Sequence, residues 1–251
     1  MNAPIKPFSK ITFLFRALKY RYRNDREELQ YIMKNVKHGN TVLDIGAHKG
    51  AYLYWLRKAV GPKGQVIALE PQPTLFQYLE TAISKFGFKN IKIHHAGASS
   101  VKDTLSLFIP KAEGGTSPGA TFEKRETTEN SHLIEVEVIP LNDLLKNRKS
   151  KIDFIKMDVE GHELDAFKGA SDILLEDRPT ILFECENRHL KGITIFDVFA
   201  YLNSLGYSGF FFLNSVLTPL EQFDIAIHQA THEGEIIDKK KYINNFVFKV
   251  A

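Results

Sequence analysis

The stretch VLDIGAHKG, from Val42 to Gly50, constrains the fold of this chain more than any other. A short β-branched run, TVLDI (41–45), stops at Gly46. Apolar residues then recur at Tyr52, Trp55, Leu56, Ala59 and Val60. That i, i+3, i+4, i+7, i+8 spacing is the stripe of a helix lying on a sheet. A strand passing straight into such a helix through a glycine turn is the opening unit of a parallel α/β sheet. Gly61-Pro62 stops the helix.

The same unit repeats downstream. QVIALE (65–70) reads as a second strand, and Pro73 suits the first position of a helix whose apolar face is Leu75, Leu79, Ala82, Ile83 and Phe86, closed by Gly87. IKIHH (91–95), TLSLFI (104–109) and LIEVEVI (133–139) are further extended segments. DFIKM (153–157) and TILFE (180–184) are continuous apolar runs, as in strands covered on both faces. A helix is expected from about His162, and another from Thr194, capped with Asp197, to Gly206. GFFFL (209–213) and NFVFKV (245–250) are the last strands. We expect a doubly wound α/β fold, Rossmann-like, with a mostly parallel sheet of about seven strands. Residues 36–251 would form one domain behind a basic N-terminal helical segment, 1–35. The stretch 110–132 has three glycines, two prolines and no periodicity, and is expected to be either a mobile lid over the site or a simply disordered loop.

Composition removes several classes. A net charge of +3 in 251 residues is too small to point to nucleic acid, and no such partner is expected. A single cysteine, Cys185, excludes a disulfide framework within the chain and suits a cytoplasmic, reducing compartment. No apolar run approaches the roughly 20 residues needed to span a bilayer. The N-terminus carries Lys6, Lys10, Arg16, Lys19, Arg21, Arg23 and Arg26 with aromatics between them. It reads as a capping helix, or as a peripheral contact with the inner face of a membrane through Phe13, Leu14, Phe15 and Leu18. Every expected cofactor contact lies after residue 40, so residues 1–26 are expected to be dispensable for cofactor binding. The oligomeric state is left open.

Ligands of an open parallel sheet bind at the carboxyl ends of its strands, beside the first turn. Gly46 lets the backbone approach a ligand, and Gly50 lets the helix start close to the sheet. Asp44 precedes the turn, and Glu70 ends the second strand, where a carboxylate offers paired acceptors to the two hydroxyls of a ribose. This set points to a nucleoside ligand. A dinucleotide needs G-x-G-x-x-G so that pyrophosphate can sit on the helix N-terminus. Here Ala47, His48 and Lys49 fill those positions and would crowd a pyrophosphate, whereas S-adenosylmethionine carries no phosphate. An NAD(P)-type Rossmann oxidoreductase and a non-catalytic nucleoside-binding module are the alternatives.

A second cluster follows an apolar strand: Asp158, Glu160, His162 and Glu163 within FIKMDVEGHELDAFKGA (154–170). Carboxylates this close repel one another unless a ligand, proton or cation intervenes. Three motifs, DIGAHKG (44–50), EPQP (70–73) and KMDVEGHELDAFKGA (156–170), together resemble the FkbM-type methyltransferases over roughly residues 40–187. The resemblance implies a class I, S-adenosylmethionine-dependent methyltransferase acting on hydroxyl groups of sugars, glycolipids or secondary metabolites. It implies that Gly46, Ala47, Gly50, Glu70 and Pro71 line the cofactor, with Gln72 and the Gly97-Ala98-Ser99 turn near its adenine. His48 and Lys49 stand where many relatives have Asn and an aliphatic residue. Asp158 would sit where substrate meets the methionine end of the cofactor.

Attack on the methyl group requires an aligned oxygen and a base. Asp158 and His162 are the candidates for the base, and Glu160 and Glu184 complete the expected catalytic set. Asp158, Glu184, Glu186 and Asn187 are oxygen donors at adjacent strand ends, a set that would suit Mg2+. The acceptor is expected to be a small molecule or glycan.

Overall fold

The computed structural model describes residues 8–111, 119–124, 131–232 and 235–250. Its strands are β1 (Thr41–Ile45), β2 (Gln65–Leu69), β3 (Ile91–His94), β4 (Gly97–Ala98), β5 (Asp103–Pro110), β6 (Ser131–Ile139) and β7 (Phe154–Met157). They continue with β8 (Thr180–Glu184), β9 (Ser208–Leu213), β10 (Val216–Pro219), β11 (Thr231–His232), β12 (Glu235–Ile236) and β13 (Asn245–Lys249). The helices are α1 (Lys10–Lys19), α2 (Arg26–Asn35), α3 (Ala51–Val60), α4 (Pro73–Phe86) and α5 (Leu141–Leu144). After these come α6 (Glu163–Lys168), α7 (Ser171–Glu176), α8 (Ile195–Ser204) and α9 (Ile225–His228), and a π-helical turn, Tyr20–Asn24, joins α1 to α2.

The main sheet has the order β10-β9-β13-β8-β7-β1-β2-β3. From β8 through β3 every neighbouring pair is parallel, while β13 runs antiparallel to both β8 and β9. The sheet is thus doubly wound and mostly parallel, with eight strands rather than the expected seven. The additional strand, β10, returns from β9 through a two-residue turn, with Asn214 and Ser215 at φ 51° and 65°. Left-handed values at both central positions are those of the hairpin turn whose twist matches its strands. Segments β4, β6 and β5 form a separate three-stranded sheet.

The central strands are apolar throughout because alternate residues enter different cores. Leu43, Ile45, Ile67, Ile155, Met157, Ile181 and Phe183 face one core, with Phe167, Ile173 and Phe199 from α6, α7 and α8. Val42, Val66, Ala68, Phe154, Leu182 and Val247 face the other, with Leu29, Ile32, Leu53, Leu56 and Leu79 from α2, α3 and α4. On this second face the apolar ladder is interrupted where Asp44 and Lys156 stand side by side in register.

Helix boundaries follow local chemistry. Pro73 is the first residue of α4, and Gly87 ends it at φ 65°. Thr194 and Asp197 form the expected capping box of α8. The helix expected from His162 is instead two, α6 and α7, parted at Gly169-Ala170. A Cβ on Gly169 would collide with the Ser99 carbonyl, so the chain turns where it presses on β4. In the N-terminal segment Phe13, Ala17, Leu29 and Ile32 are buried, and the Trp55 indole N–H donates to the Ala17 carbonyl at 2.8 Å. Phe13 therefore faces the core, not a lipid. Among the described residues no helix is long and apolar enough to cross a membrane.

Candidate active site

The β1–α3 turn is shaped by its glycines. Gly46 has φ 77°, and a Cβ there would collide with the Asp158 carbonyl oxygen after β7. Gly50, also at φ 77°, caps α3, and its Cβ would meet Leu79 and Phe13 at 2.9 Å. His48 adopts φ 47°, the left-handed region that few residues other than glycine enter and that histidine tolerates better than most. Arg16 of α1 donates to the Lys49 carbonyl at 3.3 Å and to the Tyr78 hydroxyl at 3.1 Å.

Glu70 directly follows β2, with only 2% of its surface exposed. Its carboxylate accepts from the backbone N–H of His48 at 2.7 Å and of Gln72 at 2.8 Å. It thereby ties the β1 turn to the start of α4. Burial raises its pKa to about 7, although those two backbone bonds oppose the shift. A carboxylate has about four acceptor sites, so two remain for a ligand. His48 is half-buried, its ring Nε2 is enclosed with no hydrogen-bond partner among the described residues, and desolvation followed by the Lys49 charge lowers its pKa to about 3. It is neutral at physiological pH.

A polar layer begins behind the turn. Asp44 is fully buried, and among the described residues neither of its oxygens has a hydrogen-bond partner. Burial raises its pKa to about 6, against the attraction of Lys156. Lys156 places Nζ 3.5 Å from Asp158 Oδ2 and 4.8 Å from the centre of the Tyr52 ring. Burial alone would depress its pKa, but Asp158, Asp44, Glu184 and Asp25 outweigh burial and hold it above the ordinary lysine value. This ammonium therefore faces the acidic cluster. Among the described residues no group of three or more His, Cys, Asp or Glu side chains is arranged to hold a metal ion, and the expected Mg2+ set is not assembled. Glu184 accepts from Asn244 at 2.6 Å, while Glu186 is engaged by Tyr242 and Arg188.

Beyond Asp158 the chain turns sharply. Glu160 takes φ 53° and its carboxylate lies 2.9 Å from His189 Nδ1. His162 is held on both ring nitrogens, 3.0 Å from Ser99 Oγ and 3.1 Å from Glu123 Oε1. Glu163 accepts from the Gly161 N–H at 2.8 Å, and its burial raises its pKa to about 8. Burial, then the nearby Asp158 and Glu160, also holds Glu184 well above the usual carboxylate value.

These elements enclose a cavity of about 490 Å³, within the range of small-molecule sites. Of the expected residues, Gly46, Ala47, His48, Glu70, Pro71, Gln72, Ala98, Asp158, Glu160 and Glu184 line it. Asp44, Gly50, Ser99 and His162 are not among the lining residues. The family model for the methyltransferase FkbM domain matches residues 44–208.

The chain belongs to this family.

Methyltransferase 1 of Beauveria bassiana is 23% identical over 146 residues, 52% of this chain and 58% of that protein. Hexuronic acid methyltransferase AglP of Haloferax volcanii is 24% identical over 154 residues, 61% of this chain and 59% of that one. The crystal structure of methyltransferase FkbM from Methylobacillus flagellatus is similar at a TM-score of 0.52 and 17% identity, covering 97% of this chain and 56% of that chain. This chain thus spans little more than half the length of these relatives, and the structural likeness speaks for the fold.

Much of the wall of this FkbM domain comes from residues that the sequence reading did not select. Arg16, Tyr20, Asn24, Asp25 and Glu28 reach it from the N-terminal segment, and Tyr242, Asn244 and Asn245 from the approach to β13. The π-helical turn is the one local signal of the first group, since such turns gather at functional sites, but it is not visible in sequence. Of the expected lid, residues 112–118 and 125–130 lie outside those described. Within 119–124, Ala120 and Phe122 join the wall, and the Thr121 hydroxyl donates to the Glu160 carbonyl at 2.7 Å.

Proposed function

We propose that this FkbM-domain protein transfers a methyl group from S-adenosylmethionine to a hydroxyl oxygen of a small-molecule or glycan acceptor, with no nucleic acid as substrate. The observation that carries this reading is that one cavity joins the Gly46 turn and Glu70 to the Asp158–Lys156 pair. The residues present fit the cofactor. Glu70 retains acceptor sites for ribose hydroxyls, Gly46 leaves the backbone bare, and Ala47, Pro71, Gln72 and Ala98 offer a surface for the base. When bound, S-adenosylmethionine supplies an electrophilic methyl group on a sulfonium.

The chain's own residues do the rest. Asp158 is assigned as the proton acceptor for the attacking hydroxyl, with Lys156 fixing the orientation of its carboxylate. Glu184 and Glu160 stand beside it as hydrogen-bonding groups for the acceptor. His162, already held by Ser99 and Glu123, is assigned to positioning the 119–124 segment. Asn24, Asn244 and Asn245 add amide donors and acceptors suited to a hydroxylated molecule. The hexuronic acid named for the Haloferax relative supports a sugar acceptor.

The test is calorimetric titration with S-adenosylhomocysteine and, separately, NADH. Binding of the first alone is expected. Binding of NADH without S-adenosylhomocysteine overturns the reading in favour of a Rossmann oxidoreductase. Incubation with hexuronic acid sugars and isotopically labelled cofactor, followed by mass spectrometry, tests for methyl ether formation.

A further inference from the structure

Among the described residues, nothing covers the apolar outer face of α1 and the π-helical turn. Ile11, Phe15, Leu18 and Tyr22 are exposed to 82%, 67%, 45% and 66%. Their spacing of i, i+4, i+7 and i+11 gathers them into one stripe along the helix. Single exposed apolar residues are ordinary, but four aligned on two or three turns form a contiguous patch. Lys10 and Arg21 fall on one flank of the stripe, their charges also lying over the Phe86 and Trp55 rings at 5.3 and 5.7 Å, and Lys19 and Arg23 fall on the other. There is no acidic residue from Lys10 to Asn24.

The remaining sides of the same stretch are committed. Phe13 and Ala17 are buried in the domain, while Arg16, Tyr20 and Asn24 line the cavity. Whatever the outer face rests on therefore lies about one helix diameter, roughly 10–12 Å, from the cavity wall.

We propose that this face docks the protein on an anionic lipid surface, with Ile11, Phe15, Leu18 and Tyr22 entering the interface and Lys10, Lys19, Arg21 and Arg23 meeting lipid phosphates. An apolar stripe between two basic flanks is the layout of a helix lying in the plane of a membrane interface. Charge argues against a second copy. A two-fold contact through this face would bring the same four basic residues together without a compensating acid. The docked orientation sets the cavity beside the lipid head groups, so acceptors would be drawn from the membrane surface. The docking itself does not depend on the methyltransferase reading.

Sedimentation of the full chain with vesicles tests it. Partition onto phosphatidylglycerol-containing vesicles is expected to exceed that onto pure phosphatidylcholine at least ~10-fold and to fall with added salt. The pair Phe15→Ser and Leu18→Ser, and separately the pair Lys19→Glu and Arg23→Glu, should each lower partition ~10-fold or more. Thermal unfolding should be unchanged, because all four side chains are exposed. If the first pair fails to fold, the charge pair and the salt series still decide. Equal sedimentation with both vesicle types, or of parent and charge pair, overturns the proposal. So does a dimer in analytical ultracentrifugation that the first pair dissociates, since the face would then belong to a second copy. Cofactor titration on the same samples reports on the methyltransferase reading independently.

Discussion

Glu70 does two things at once: it ties the His48 and Gln72 amides together, and it keeps acceptor sites for a ligand. Glu70→Ala is therefore expected to weaken S-adenosylhomocysteine binding by about 2–4 kcal/mol, read by calorimetry. Asp158→Asn should act differently. Turnover should drop at least ~10²-fold with little change in cofactor affinity, because the variant keeps the shape and loses the proton acceptor. Unchanged turnover would remove Asp158 from the chemistry. Glu163 supplies a pH prediction. Its folded pKa of about 8 lies above the ordinary carboxyl value of 4.5. Between those values the unfolded chain releases the proton and the folded chain keeps it, so stability falls as pH rises, by at most ~1.4 kcal/mol per unit from this group. Glu163→Gln should relieve that slope, and its thermal midpoint relative to the parent should climb from pH 5 to pH 8. A constant difference would mean that Glu163 ionises normally. Glu70 and Asp158 were legible as strand-tip acids beside glycine turns. Lys156 was not, since a lysine inside an apolar strand gives no sign that its neighbours in space are four carboxylates.

At the scale of elements, the N-terminal segment departs furthest from expectation. Its amphipathic character was legible, but which face is buried depends on what it meets, and Phe13 meets Gly50 of the first turn and the Tyr78 and Phe86 rings of α4. Phe13→Ala should cost about 3–5 kcal/mol of stability. Because Arg16 also holds the Lys49 carbonyl, removing residues 1–26 should weaken S-adenosylhomocysteine binding, contrary to the expectation that they are dispensable. Equal affinity of the shortened chain, measured by calorimetry, would return α1 to a mere cover. Strands β1, β2, β7 and β8 were readable because burial on both faces leaves a continuous apolar run. Strand β10 escaped because it is four residues long and its turn uses Asn-Ser where Asn-Gly is the usual signal. The break between α6 and α7 comes from contact with the Ser99 carbonyl, a distant segment that no local period reports.

For the whole molecule, the cavity draws on β1, β2 and β7, on the N-terminal helices and on the approach to β13, so a ligand there braces both ends of the chain. At about 100 times its dissociation constant, S-adenosylhomocysteine should add ~2.7 kcal/mol of stability, or roughly 5–10 °C in melting temperature for a chain of this size. NADH at the same concentration should add nothing, and the reverse pattern would contradict the cofactor assignment. Consider finally β13, which slots between β8 and β9 and pairs Phe246 with both Phe183 and Phe211. These partners lie far upstream, so the central gap closes only through contacts of long sequence separation, the kind that slows folding. Until then β8 and β9 each present an open edge of backbone donors and acceptors, a template for pairing between chains. The kinetic vulnerability of this protein thus sits in the middle of its sheet, and aggregation during refolding should rise steeply when Phe246 or Phe248 is weakened.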